Sequence, residues 1–133
     1  GEGVAMGSGD NGPYAIGDTV GGGSPRSFGD NEGKLIDEFG IDDEGLFGHE
    51  GHSAGVRQID SDDPLGTADQ FAEVAAQGGT IVHELPNGGW VAQLEDGSYV
   101  TFCPDSTSGS PAVTLNLVDS TQVQSQKIHF EEE

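Results

Sequence analysis

The chain has 133 residues, with 24 Asp or Glu against 4 Lys or Arg and a net charge of −20 at pH 7. That length allows one domain of ordinary size, and so acidic a surface repels polyanions, which by itself argues against RNA or DNA as a partner. The single cysteine, Cys103, excludes an internal disulfide and marks no redox compartment, and no signal peptide or membrane-spanning apolar run is present.

Residues 1–55 hold 16 of the 23 glycines and 11 of the 24 carboxylates, without sustained apolar periodicity. Runs such as Gly21-Gly22-Gly23-Ser24-Pro25 bury too little apolar surface to offset their chain entropy. This stretch is expected to be a Gly-rich acidic linker or irregular arm, with a brief helical turn near residues 34–39 whose apolar side is Leu35, Ile36 and Phe39. Gly48-His49-Glu50-Gly51-His52 sets two imidazoles and a carboxylate close together, a set that a metal uses elsewhere. A zinc-protease pattern needs histidines four apart on one helix face. Here they stand three apart among glycines, so an exposed linker is the reading, and no metal or cofactor is expected.

The compact domain is expected over residues 56–133. Val56-Arg57-Gln58-Ile59 is a short extended candidate, followed by an acidic turn at residues 60–64. Thr67 is expected to cap a helix running to about Gln77, with Gln70 completing a capping box and Gly78-Gly79 ending it. Ala68, Phe71, Ala72 and Ala75 form its apolar stripe. Three strands then meander over residues 80–85, 90–94 and 98–103, joined at Asn87-Gly88 and Asp96-Gly97, which are strong hairpin signals. Two further strands follow over residues 112–118 and 124–130. The predicted fold is α+β: one helix packed on a five-stranded, mainly antiparallel sheet, preceded by the irregular arm.

The last two strands carry the chemistry. With a period of two, Val113, Leu115 and Leu117 share one side and Thr114 and Asn116 the other; Ile128 and Phe130 likewise oppose Lys127 and His129. If both apolar sides pack on one core, a hydroxyl, an amide, an ammonium and an imidazole look the same way. A solvated outer sheet face is the bland account of that pattern. Against it stands the scarcity of cations, one of which lies two residues from a histidine. His83 joins this set if its strand faces the same side, although alternation pairs it with Ile81, as in a partly buried structural histidine. Trp90 shares its face with Ala92 and Leu94 and is read as core. Cys103 is read as a small hydrophobe rather than a catalytic thiol.

The order Val56-Arg57-x-Ile59, Asp62-Asp63-Pro64, Thr67-Ala68-x-x-Phe71, Gly78-Gly79, Asp96-Gly97, the hydroxyls Ser106, Thr107 and Ser108, Gly109-Ser110-Pro111-Ala112-Val113, Leu115-Asn116 and Lys127-Ile128-His129-Phe130 resembles a C-terminal domain found on bacterial polymorphic toxins. The resemblance covers about residues 56–130. It implies a toxin domain that is secreted or delivered into a target bacterial cell, joined by a variable linker to an N-terminal delivery module, with a cognate immunity protein as partner. The helix-plus-meander layout is also similar to ribonuclease toxins of the barnase and colicin type, by fold analogy, which implies a metal-independent ribonuclease with RNA as substrate.

Carried over, the positions that match are Arg57, Ser106, Thr107, Ser108, Lys127 and His129; joined to the residues that alternation puts on the same face, they give a catalytic set of His129, Lys127, Thr114, Ser106, Ser108 and Arg57, with Asn116, Thr107 and His83 binding substrate. Cys103 departs from the pattern, which has Arg there. The alternative is a non-enzymatic acidic binding or structural module of a secreted or phage-like assembly. On either reading the chain is expected to be part of a longer exported protein.

Overall fold

The computed structural model describes residues 14–51, 55–85, 88–105 and 110–132. Two helices, α1 (Phe28–Phe39) and α2 (Pro64–Ala75), accompany seven strands: β1 (His49–Glu50), β2 (Val56–Ser61), β3 (Thr80–Glu84), β4 (Trp90–Gln93), β5 (Tyr99–Cys103), β6 (Ala112–Asn116) and β7 (Gln126–Glu132). They form one sheet in the order β1-β2-β7-β6-β5-β4-β3. Every pairing is antiparallel except β2 with β7, which run parallel from Val56↔Lys127 to Ser61↔Glu132.

The five-stranded, one-helix expectation is therefore corrected to a seven-stranded mixed sheet with two helices. The meander and the two closing strands stand where alternation put them, but β2 takes the first two residues of the supposed acidic turn and ends at Ser61, because β7 offers it a parallel ladder as far as Glu132. Strand β1 then pairs with β2 through His49↔Gln58 and Glu50↔Arg57. Helix α2 starts earlier than predicted. Asp63 is its N-cap, accepting from Gly66 N at 3.2 Å, and Pro64 takes a first-turn position where its missing N–H costs nothing. Thr67 lies inside the helix, its hydroxyl 2.6 Å from that of Ser61.

The irregular arm is the larger correction. Ser27 caps α1 in a complete capping box, accepting from Asp30 N at 3.2 Å while Asp30 Oδ2 accepts from Ser27 N at 3.1 Å. That cap holds a helix that includes Gly29 and Gly33, each of which disfavours helix by roughly 1 kcal/mol relative to Ala. Tertiary burial supplies the difference: Val20, Phe28, Leu35 and Phe47 are fully buried in the same core as Phe71, Val113, Leu115, Ile128 and Phe130. Phe71 is the junction, with ring centroids 4.9 Å from Phe39, 4.9 Å from Phe47 and 5.6 Å from Phe130, all edge-on. Trp90, Ala92 and Leu94 are buried as their alternation predicts.

Polar anchors tie residues 14–51 to the rest. The buried Glu32 carboxylate accepts from the backbone N–H groups of Thr121 (3.3 Å), Gln122 (2.7 Å) and Val123 (2.8 Å) and from the Thr121 hydroxyl (3.1 Å). Gln126, on β7, accepts from Phe47 N at 2.8 Å and donates to Gly45 O at 3.0 Å. Residues 17–20 close the β3 edge, with Gly17 N donating to Ile81 O and Ile81 N to Asp18 O, both at 2.8 Å. An edge that would otherwise template another strand is thus occupied.

Two outcomes follow. A chain beginning at Ser53 should lose cooperative thermal unfolding, because it lacks Phe28, Leu35, Phe47 and Glu32; a Phe71→Ala substitution in the full chain should cost about 3–5 kcal/mol in urea unfolding. The second concerns acid. Burial alone would raise the Glu32 pKa, but the hydrogen bonds from Val123, Gln122 and Thr121 outweigh it and hold the carboxyl below its ordinary value. A lowered folded pKa means that its stabilisation is full above the unfolded value and is lost as pH falls through the folded one. Glu32→Gln should therefore cost about 1–3 kcal/mol at pH 7, and the gap from the unsubstituted protein should narrow progressively below roughly pH 4.

Candidate functional site

Because Phe130 and Ile128 turn toward α2 and the core, alternation sends Lys127, His129 and Glu131 to the face of the sheet away from the helices. Register then decides their neighbours. Lys127 stands opposite Thr114 on β6 and Val56 on β2; His129 stands opposite Ala112 on β6 and Gln58 on β2. Directly opposed residues lie about 4.5–5.5 Å apart at Cα, so Lys127 and Thr114 are a cross-strand pair, with His129 on the adjacent row. Thr114 and His129 are partly shielded, while Lys127 is exposed.

His129 is held by a relay. Its Nδ1 lies 3.1 Å from Ser110 Oγ, and that hydroxyl donates to Glu131 Oε2 at 2.9 Å. A hydroxyl that gives its own proton to the carboxylate accepts one from the ring, which favours the tautomer with its hydrogen on Nδ1. This assignment rests on the hydrogen-bond network. A carboxylate acting through an oriented group on a ring nitrogen is how proteins fix one histidine tautomer.

The open face has an unusual charge pattern for this chain. Thr80, Gln93, Tyr99 and Asn116 make one row; His83, Val91, Thr101, Thr114, Lys127 and Val56 make the next; Cys103, Ala112, His129, Gln58 and His49 make a third. None of these rows contains a carboxylate, in a molecule with 24 of them. The adjoining row beyond His129 holds the Glu131↔Asp60 pair.

The remaining candidates separate. Asn116 is exposed, on the same face as Thr114 and one pleat along β6, about 6.8 Å away. His83 reaches the open face through a β-bulge between Ile81 and His83, which breaks the alternation that paired it with Ile81: Ile81 is buried opposite Ala92, and His83 is exposed opposite Val91. It is four strands from Lys127, roughly 19 Å at about 4.8 Å per strand, so it cannot share a small reacting group with His129. Arg57 stands opposite Ile128 on the other face, and its guanidinium donates to Phe47 O and Gly48 O at 3.0 Å each and to Asp42 at 3.4 Å. It is a structural clasp for the β1 connection. Ser106, Thr107 and Ser108 lie outside the described residues.

Three contributors escaped the sequence reading. Glu131 lies one residue beyond the predicted strand, yet it continues the 127, 129 alternation; Ser110 was visible only as part of a motif; Gln58 depends on the parallel β2–β7 pairing. His49 lies 2.9 Å from Asp60, and that hydrogen bond raises its pKa. Among the described residues no group of three His, Cys, Asp or Glu side chains is placed to hold a metal, and His52 lies outside them. Among the same residues, no helix is long and apolar enough to cross a membrane.

Cys103 is two strands from His129 on the same row. Burial pushes its thiol pKa up, and the Lys127 charge pulls against that rise. Alkylation at pH 8 should therefore be slow, and Lys127→Met should slow it by about a further twofold, the effect of a unit charge at roughly 8 Å in water; an unchanged rate would show that the Lys127 charge does not reach the thiol. No family model, no curated protein and no solved structure matches the chain.

Proposed function

We propose that the chain is the C-terminal effector domain of an exported bacterial polymorphic toxin and acts as a metal-independent ribonuclease through His129. The observation that carries this reading is a tautomer-fixed imidazole beside a Lys–Thr pair, on rows of the sheet from which carboxylates are absent. In such a reaction the 2′-oxygen of RNA loses its proton and bonds to phosphorus, the P–O5′ bond breaks, and the 5′-oxygen leaves with a proton. His129 is the proton-transfer group: it accepts the proton of the 2′-hydroxyl, and water supplies the one that leaves with the 5′-oxygen. The Lys127 ammonium and Thr114 hydroxyl supply donors to the non-bridging oxygens, where charge develops. Asn116 and the hydroxyls of Ser106, Thr107 and Ser108 orient the substrate. A cognate immunity protein and an N-terminal delivery module are the partners this reading requires.

Cys103 sets its strength. The family pattern has Arg at that position, and Cys103 occupies the row of His129, where a guanidinium two strands away has the length to reach the phosphate. Its absence leaves Lys127 as the one Lys or Arg on these rows. That loss, with the charge of −20, favours a second reading, an acidic binding module of a secreted or phage-like assembly that has the toxin layout without its cleavage.

RNA cleavage by the full chain separates the two. Cleavage is expected, with His129→Ala lowering it by about 10²–10⁴-fold and leaving the melting temperature unchanged, and Cys103→Arg raising it by roughly 10–10³-fold. With one lysine at the phosphate, the rate should depend only shallowly on salt. No cleavage by either the unsubstituted chain or Cys103→Arg would leave the binding module as the account.

A further inference from the structure

On the helical side of the molecule, Arg26, Asn31, Lys34, Val74 and Gln77 line a cavity of about 280 Å³. Half of the chain's Lys and Arg residues therefore converge on one small space in a protein that carries 24 carboxylates. Neither Arg26 nor Lys34 forms an ion pair among the described residues. Of the helical neighbours of Lys34, Glu38 at i+4 accepts from Gln70 Nε2 at 2.8 Å and Asp30 at i−4 is held in the capping box with Ser27.

The guanidinium is deliberately placed. Asn31, only 2% exposed, donates to Ala75 O at 3.0 Å and to Gln77 O at 2.9 Å, which orients its Oδ1 to accept from Arg26 Nε at 2.7 Å. Arg26 Nη2 donates in addition to Asp30 O at 2.7 Å. Of the five N–H groups of an arginine, two are fixed on the protein, and among the described residues the others have no partner. Two like charges held at one cavity repel each other unless an anion joins them.

We propose that this cavity binds a small phosphate monoester. A monoester near pH 7 carries about −1.5 to −2, which matches one guanidinium plus one ammonium. The arginine fork suits two phosphate oxygens and the lysine acts as a point charge. The Gln77 amide adds a donor, and Val74 gives an apolar wall for a short carbon skeleton. The volume sits just below the usual range of about 300–1,000 Å³ for ligand pockets, which limits the ligand to a phosphate with a few further heavy atoms. This site is separate from His129 and does not depend on the ribonuclease reading.

The test is titration of the full ¹⁵N-labelled chain with glycerol 3-phosphate, inorganic phosphate and dimethyl phosphate at matched ionic strength. Saturable shifts of the Lys34 and Gln77 amides with the first two, and binding at least tenfold weaker for the monoanionic diester, are expected. Lys34→Gln should weaken phosphate binding about tenfold without moving the melting temperature in phosphate-free buffer; Lys34 is exposed and makes no hydrogen bond or ion pair among the described residues, so this variant is informative even if Arg26→Gln fails to fold. Absence of saturation, equal binding of the diester, or unchanged affinity in Lys34→Gln would each overturn the proposal.

Discussion

The packing of Phe71 against Phe130 is the constraint on which the rest of the molecule depends. Phe71 belongs to α2 and Phe130 to β7, and the same ring also meets Phe39 at the end of α1 and Phe47 in the connection to β1. One aromatic junction therefore sets the depth of both helices, the position of the 40–48 connection and the phase of the last strand. Once Phe130 faces the core, the period of two leaves Lys127, His129 and Glu131 no choice of face. The candidate chemistry is a by-product of core packing on the other side of a single strand.

The acidity of the chain has an internal use as well as a surface one. Glu32 gathers three backbone N–H groups of the β6–β7 connection; Asp96 accepts from Ser98 N, Asp119 N and Phe28 N; Asp42 accepts from Glu44 N and Leu46 N. Loops lack the ladder partners of strands, and a buried N–H left unpaired costs about 1–3 kcal/mol. Carboxylates here act as acceptors for irregular backbone, which lets a Gly-rich stretch be ordered without regular secondary structure. Among the described residues no carboxylate lies on the three open rows of the sheet, so the net charge of −20 conceals two places of opposite character: the rows around Lys127 and His129, and the cavity between Arg26 and Lys34.

Much was legible because it was local. The meander followed from Asn87-Gly88 and Asp96-Gly97 between alternating runs, and Gly97 does take φ 94°, a conformation a turn glycine supplies without strain. The outward face of Thr114, Lys127 and His129 followed from alternation alone. The N-terminal helix was misjudged by glycine content, although Ser27 and Asp30 carried a readable cap; the sequence holds the signal for where α1 begins, but not the burial of Phe28 and Leu35 that makes it persist.

What the chain by itself determined is which residues alternate, where hairpins close and where helices can be capped, since all of these depend on neighbours a few positions apart. The tertiary structure alone decided that β2 runs parallel to β7, which put Gln58 beside His129 and carried Arg57 to the opposite face as a clasp. It also decided that a bulge would turn His83 outward, and that Ser110 would stand between His129 and Glu131. Those outcomes join residues as far as 71 positions apart, as in Arg57 opposite Ile128, where no short-range propensity acts. They are chosen only when the hydrophobic core closes and each backbone group must find the partner that remains.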